Sequence, residues 1–344
     1  MGKLLDINDG DRILISRTDR LGDLILALPF AETIKLRYPK CRVDVIASLY
    51  ASPILENNPR IDNIVRVQND QLQTNNLYRK DLLQKVVKNK YQAVVAVYPE
   101  RKISQLFYDA GIPVRIGTAG RFHSIFFSHH LMHSRKQNLK HESEYNLDFL
   151  QFFRDGETVR FPRVYLREKE IRNARRILSD VGVGERFVVL HPGSGGSAER
   201  WCLDDFVRLY EALENRELEV VISGSEKEGE TIAASSKNLG IPARRITGDT
   251  DLRTLAAVLS QADLVVANST GPLHLAVAVG TRAVGLYPSR KAMSPRRWGP
   301  LGDEDRVIQP VGVECKCPPG QCTCMDMIKV ETVADEVIAM LAEK

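Results

Sequence analysis

With 344 residues the chain is long for one hydrophobic core and sufficient for two domains of about 150 residues each. Its 43% apolar and 27% charged content is that of a folded globular protein, and a net charge of +4 is too small to point to nucleic acid. It has no run of roughly 18 apolar residues to span a bilayer, and Met1-Gly2-Lys3-Leu4-Leu5-Asp6 lacks the apolar core of a signal peptide, so the protein is expected in the cytoplasm. In chain order, strands are predicted at residues 13–16, 43–47, 64–67, 93–97 and 114–116, separated by amphipathic helices such as 23–38 and 82–88. The rhythm repeats with strands at 187–191, 219–223, 244–246, 264–267 and 283–287 and helices near 203–213, 228–239 and 252–260. Such alternation implies parallel sheets with crossover helices, hence an α/β protein of two Rossmann-like domains. The joint is expected between residues 154 and 167, where Asp155-Gly156-Glu157 and Phe161-Pro162-Arg163 break the pattern.

Charge is unevenly placed. Residues 110–140 contain no Asp or Glu but include Arg115, Arg121, Arg135, Lys136 and Lys140, and with His141 the region holds five of the seven histidines. The segment is either a solvated basic loop or an attraction site for an acidic ligand or an anionic membrane surface. Phe126 and Phe127, within residues 122–131, would then add apolar contact with lipid, or belong to the core.

The most pointed local signal is Val265-Val266-Ala267-Asn268-Ser269-Thr270-Gly271-Pro272-Leu273-His274, a short apolar strand running through a small polar turn into a helix. Gly271 admits close backbone approach, Pro272 suits the first helical turn, and Ser269, Thr270 and His274 add donors beside the positive helix end. This pattern fits a phosphate site or an ordinary capped helix. Two further segments stand with it. Arg12-Ile13-Leu14-Ile15-Ser16-Arg17-Thr18-Asp19-Arg20-Leu21-Gly22-Asp23 is a strand entering a Leu-Gly-Asp turn, and His191-Pro192-Gly193-Ser194-Gly195-Gly196-Ser197-Ala198-Glu199-Arg200-Trp201 is a glycine-rich loop before a Trp. In this order and spacing, the three segments resemble glycosyltransferase family 9, the ADP-heptose:lipopolysaccharide heptosyltransferases.

The resemblance implies the GT-B architecture, two Rossmann-like domains whose parallel sheets face each other across a cleft. Residues 1–160 would bind the acceptor, residues 161–328 the nucleotide sugar, and residues 329–344 would form a terminal helix packing back on the first domain. It further implies an inverting transferase with an ADP-sugar donor and a lipopolysaccharide-core acceptor, working without a cofactor, without nucleic acid, and at the inner face of the cytoplasmic membrane. Asp23 matches the family's catalytic aspartate, although its position also suits support of a helix's first turn. Asp19 is read as a loop or capping residue. Ser269, Thr270, Gly271 and His274 would hold the diphosphate, Glu228 the ribose, and Gly193, Gly195 and Gly196 would let the backbone approach the nucleotide. Arg115, Arg121, Arg135 and Lys136 are the candidates for the acidic acceptor.

Two positions depart from the family pattern. Ser269, preceded by Asn268, stands where the family often carries Asp, and Glu199 takes the place of its phosphate-binding Lys. A carboxylate there would repel a diphosphate, so the positive charge is assigned to Arg200, with Arg290-Lys291 and Arg296-Arg297 as the alternative. Cys315, Cys317, Cys322 and Cys324 form C-x-C-x4-C-x-C, read either as a structural zinc site or as reduced thiols in a surface loop. Two other readings use the same fold: a nucleotide-sugar epimerase acting on a UDP-sugar, and a non-catalytic nucleotide-sugar sensor, which the two departures would allow.

Overall fold

In the computed structural model, Ile13-Leu14-Ile15 has no polar alternation and is buried on both faces, which suits the centre of a parallel sheet. The structure describes residues 4–120, 122–193, 195, 199–248, 250–302, 305–312, 315, 317 and 323–343. They fall into two compact units, residues 1–162 and 163–344.

The first unit contains β1 (Arg12–Arg17), β2 (Arg42–Ser48), β3 (Asn63–Val67), β4 (Ala93–Ala96), β5 (Val114–Thr118) and β6 (His129–Leu131). Their order is β3-β2-β1-β4-β5-β6, all parallel. Chain direction across the sheet reverses between β1 and β4, where doubly wound sheets bind ligands at their carboxyl edge. The predicted helix 23–38 is two helices, Leu21–Ile25 and Leu28–Arg37. Pro29 lacks the N–H that would bond the carbonyl of Ile25, and its ring crowds that carbonyl, so the first helix stops before it. The helix Arg101–Asp109 and the three-residue β6 escaped sequence reading. Phe127 is buried, and a Cβ on Gly117 of β5 would lie 2.4 Å from its ring, so the glycine makes its slot. Phe122 and Ile125 of the same segment are exposed.

The second unit repeats the plan with β7 (Phe187–His191), β8 (Glu219–Gly224), β9 (Arg245–Thr247), β10 (Leu264–Asn268), β11 (Arg282–Leu286) and β12 (Arg306–Ile308). Their order, β12-β11-β10-β7-β8-β9, puts the reversal between β7 and β10. The terminal helix is observed as Val330–Ala342, with Val333, Ala334, Val337 and Met340 buried. That apolar face lies in the second unit's core, with Trp201, Phe206 and Leu213 in the same cluster and the helix Leu203–Glu214 as its neighbour. Buried side chains of this size contribute about 1.5–3 kcal/mol each, enough to hold the helix there.

The end of the first unit is gripped by one residue. Arg37 donates to the carbonyls of Arg154 (2.9 Å), Gly156 (2.9 Å) and Glu157 (3.1 Å) and to Thr158 Oγ1 (2.7 Å). Hydrogen bonds from a charged donor contribute more than neutral ones, and their effects overlap when shared by one group. Arg37→Ala is expected to destabilise the first unit by about 2–3 kcal/mol and to speed tryptic cleavage after Arg154; an unchanged cleavage rate would deny Arg37 this role.

Candidate functional site

At the carboxyl edge of the first sheet, β1 ends in a buried cation. Arg17 is 2% exposed; its Nε donates to Asp19 Oδ1 at 2.7 Å, its Nη2 to Asp23 Oδ1, and its Nη1 to Glu142 Oε1 and Asn146 Oδ1, both at 3.3 Å. The ring of Tyr98, just after β4, lies 5.3 Å from its guanidinium carbon. Glu142 and Asn146 belong to the short helix Glu142–Leu147, which His141 caps by accepting from the N–H of Ser143. Arg135 approaches from the other side, donating to Asn146 Oδ1 (3.2 Å) and the carbonyl of Val97 (3.3 Å) with its Nε 3.5 Å from Glu142 Oε1. Asn146 closes the network by donating to the carbonyl of Leu26 at 2.9 Å.

Burial pushes the Asp23 carboxyl up, Arg17 pulls it down, Asp19 and Glu142 push up again and Arg20 opposes them; the outcome is about 6. Glu100 is likewise raised, by burial and by Asp19. Asp23 lies in the first turn of Leu21–Ile25, but its carboxylate engages Arg17. The sequence singled out Asp23 and Arg135 and missed Arg17, Glu142 and Asn146. Their available signals were a charged residue ending an apolar strand and a Glu and Asn four apart on one helix face.

In the second unit, β10 delivers the turn Ser269-Thr270-Gly271 to the helix Gly271–Ala278. Thr270 is extended and buried, and its hydroxyl donates to the carbonyl of Asn268 at 3.2 Å instead of capping the helix. With no side-chain cap, with Pro272 lacking an N–H and Leu273 donating to the carbonyl of Thr270 at 3.2 Å, the first turn offers an anion chiefly the N–H of Gly271. His274 is buried within the next turn, and the Tyr287 phenol donates to the carbonyl of Trp298. Asn268 ties the loop after β7 to this turn: its Oδ1 accepts from the N–H of Trp201 (3.0 Å) and its Nδ2 donates to the carbonyl of Pro192 (2.9 Å).

A cavity of about 410 Å³ opens beside this loop, lined by Gly193, Arg200, Trp201, Glu228, Thr231 and Ile232 among others. Arg200 is exposed and is the cation among its described lining residues. Glu228 does two things at once. Its Oε2 accepts from the N–H and hydroxyl of Ser225, both at 2.8 Å, as a capping box. Its Oε1 lies 2.3 Å from where a Cβ on Gly193 would be, so a side chain at 193 would displace this carboxylate. Burial raises the carboxyl, but the Ser225 bonds, His191 and Arg200 outweigh it and hold it below the usual range. His191, buried and bonded through Nδ1 to Ser223 Oγ at 2.9 Å, is lowered to about 4 by burial, with Glu228 opposing. Glu199 is turned away from any repulsive role: it is buried, with Oε1 3.3 Å from Arg290 Nη1. Arg290 is thereby engaged, and Arg200 is the cation that lines the cavity beside the acids Glu228 and Asp326.

Of the other expected residues, Arg115 spends its guanidinium on the carbonyls of Ile112 and Phe126 and over the Tyr108 ring. It is not brought to Asp23's network. Gly195 sits at φ +50°, a loop conformation suited to glycine. Arg121, Gly196, Cys322 and the side chain of Lys136 lie outside the described residues. Cys315 and Cys317 are half-buried and Cys324 is buried, and among the described residues no three His, Cys, Asp or Glu side chains gather as a metal site. No helix among them is long and apolar enough to cross a membrane.

Against known proteins, residues 79–323 match the model of glycosyltransferase family 9 (heptosyltransferase). A Haemophilus influenzae protein named provisionally as a glycosyltransferase is 28% identical over 90% of both chains. Lipopolysaccharide heptosyltransferase 3 of Escherichia coli is 23% identical over 80% of this chain and 83% of its own. The structure of E. coli ADP-heptose lipopolysaccharide heptosyltransferase II superposes with TM-score 0.77 at 21% identity, covering 97% and 99% of the two chains. These matches establish the GT-B fold of two Rossmann-like units.

The buried neutral imidazole has a stability consequence. With a folded value of about 4 against an ordinary 6.5, His191 contributes stability that is full above pH 6.5 and is lost as pH falls toward 4, because the unfolded chain takes the proton first. The loss is on the order of 3 kcal/mol, and thermal melts of His191→Gln should show a flatter decline over this range. Parallel declines in variant and parent would assign the effect elsewhere.

Proposed function

The chain belongs to glycosyltransferase family 9, and from that membership we propose that it transfers heptose, or a related sugar, from an ADP-activated donor to the inner core of lipopolysaccharide, with inversion. The observation that carries this reading is Asp23, set on the carboxyl edge of the first sheet with a value of about 6. Such a group is largely ionised at neutral pH yet basic enough to accept a proton in the transition state. The acceptor hydroxyl gives its proton to Asp23 as its oxygen attacks the anomeric carbon from the face opposite the nucleotide. The bond from that carbon to the β-phosphate oxygen breaks, and ADP departs with the electron pair. The enzyme needs no cofactor for this displacement.

The developing charge on ADP calls for donors already in position. The uncapped first turn of Gly271–Ala278 and Arg200 support that role, and Oε1 of Glu228 suits a ribose hydroxyl in the adjoining cavity. The named donor of the E. coli heptosyltransferase II supports ADP as the nucleotide. On the acceptor side, Phe122, Ile125, Met132 and Leu139 are exposed within a segment that carries His123, His130 and Lys140 and no acid. That mixture supports peripheral contact with an anionic membrane at its cytoplasmic face, where the acceptor is held.

Among ADP, UDP, GDP and CDP, ADP is expected to give the largest rise in melting temperature, retained in Asp23→Asn. A preference for UDP would overturn the donor assignment in favour of an epimerase or another transferase. Asp23→Asn should lower kcat by about 10²–10⁴-fold, and kcat/KM of the parent enzyme should fall on the acid side of about pH 6, as Asp23 takes up its proton. Turnover retained in Asp23→Asn would remove it as the base.

A further inference from the structure

Arg17 is shared among more carboxylates than it can neutralise. Asp19, Asp23 and Glu142 all contact it, and Glu142, 1% exposed, lies between it and Arg135. Glu142 comes from a helix more than a hundred residues away in the chain and reaches no other part of the proposed chemistry. A buried carboxylate in such a place is expensive to maintain unless its partners are in good geometry. Here the partners are the same cation that holds Asp23 and a second arginine, Arg135, that draws it the other way.

We propose that Glu142 is a positioning residue for the transfer reaction: by taking part of Arg17, it keeps Asp23 from being fully neutralised by that arginine and so keeps it a working base. The inference rests on the reading of Asp23 as the base. An aspartate paired alone with a buried arginine would be stabilised as the anion and lose its affinity for a proton. Each carboxylate added to the same guanidinium reverses part of that effect. The charged groups around Asp23 comprise Arg17 at the end of β1, Asp19 and Arg20 in the following loop, and Glu142 on its helix. Glu100, after β4, acts on Asp19, and Arg135 acts on Glu142. Asn146 receives hydrogen bonds from both arginines and fixes the spacing between them.

The arrangement makes two variants move the acid limb in opposite directions. Glu142→Gln keeps an acceptor for Arg17 but removes the charge, so Asp23 should become a weaker base. The acid limb of kcat/KM should shift down by about one pH unit, with a lower plateau kcat and an unchanged ADP-induced melting shift. Arg135→Gln frees Glu142 to draw harder on Arg17 and removes a positive charge, so the limb should shift up. A direct readout is infrared difference titration of the protonated carboxyl band that Asp23→Asn lacks, followed in the protein without ligand. If Glu142→Gln fails to fold, Arg135→Gln alone carries the sign of the effect.

Limbs and bands that stay in place in folded variants, or that move in the same direction in both, would overturn the inference and leave Glu142 as a structural residue. If instead Asp23→Asn retains turnover, the reading of Asp23 has failed and the inference falls with it. The two failures are therefore told apart by the Asp23 variant.

Discussion

One guanidinium facing three carboxylates is the constraint on which the first unit's chemistry depends. Arg17 ends the central strand, where the sheet is buried on both faces and a lone charge would be intolerable. Burial opposes its charge, but the three acids more than compensate and hold it protonated. The arginine in turn makes it possible for Asp19, Asp23 and Glu142 to share a poorly hydrated site. Burial first, and then the excess of acid over base, sets Asp23 apart from an ordinary surface aspartate. Helix 142–147 and the segment around Arg135 are drawn in by the same charges, so network and local fold require each other.

The second unit solves a different problem at the carboxyl edge of its own sheet, beside the reversal between β7 and β10. The proposed diphosphate role of its turn after β10 calls for exposed N–H groups, and no side chain caps the helix that follows. Thr270 bonds back to the carbonyl of Asn268, and Asn268 spans to Pro192 and Trp201. Asn268 therefore couples the glycine-rich loop to the turn, and the amide does so with both a donor and an acceptor, which a carboxylate lacks. Trp201, anchored further by its indole N–H to the carbonyl of Ile328, ties the loop to the terminal helix's core.

Periodicity made the alternation of strands and helices legible, because central strands such as β1, β7 and β10 are continuous apolar runs bounded by turns. It did not reveal β6 and β12, which have three residues each and owe their pairing to neighbours. The terminal helix was legible as a helix, but which core it covers depended on the facing surface of Leu203–Glu214. Of the site, Asp23, Arg200, Glu228 and the Ser269–His274 turn could be found because their neighbours in sequence carry a family pattern. Glu142 and Asn146 could not, since Arg17, the partner that ties them to Asp23, lies more than a hundred residues away. Arg115 was misleading for a similar reason: a basic run describes composition, while carbonyls presented by the fold decide where a guanidinium goes.

The departures at Glu199 and Ser269 follow from the electrostatic contrast between the two units. The first unit gathers more acid than base around one arginine, as a proton acceptor requires. In the proposed reaction a donor carrying a diphosphate calls for the opposite, and in the second unit this would come by subtraction as much as by added cations. Glu199 is neutralised by Arg290 within the protein, and Asn268 and Ser269 leave no carboxylate in the turn after β10. What remains at the cavity is Arg200 beside the carboxylates of Glu228 and Asp326, together with a helix terminus whose Thr270 hydroxyl is engaged elsewhere. In the proposed reaction, then, loss of the family lysine does not demand a replacement at the same position; it demands that the charge left behind by Glu199 be cancelled, and Arg290 does this while the open cation moves one residue along the chain.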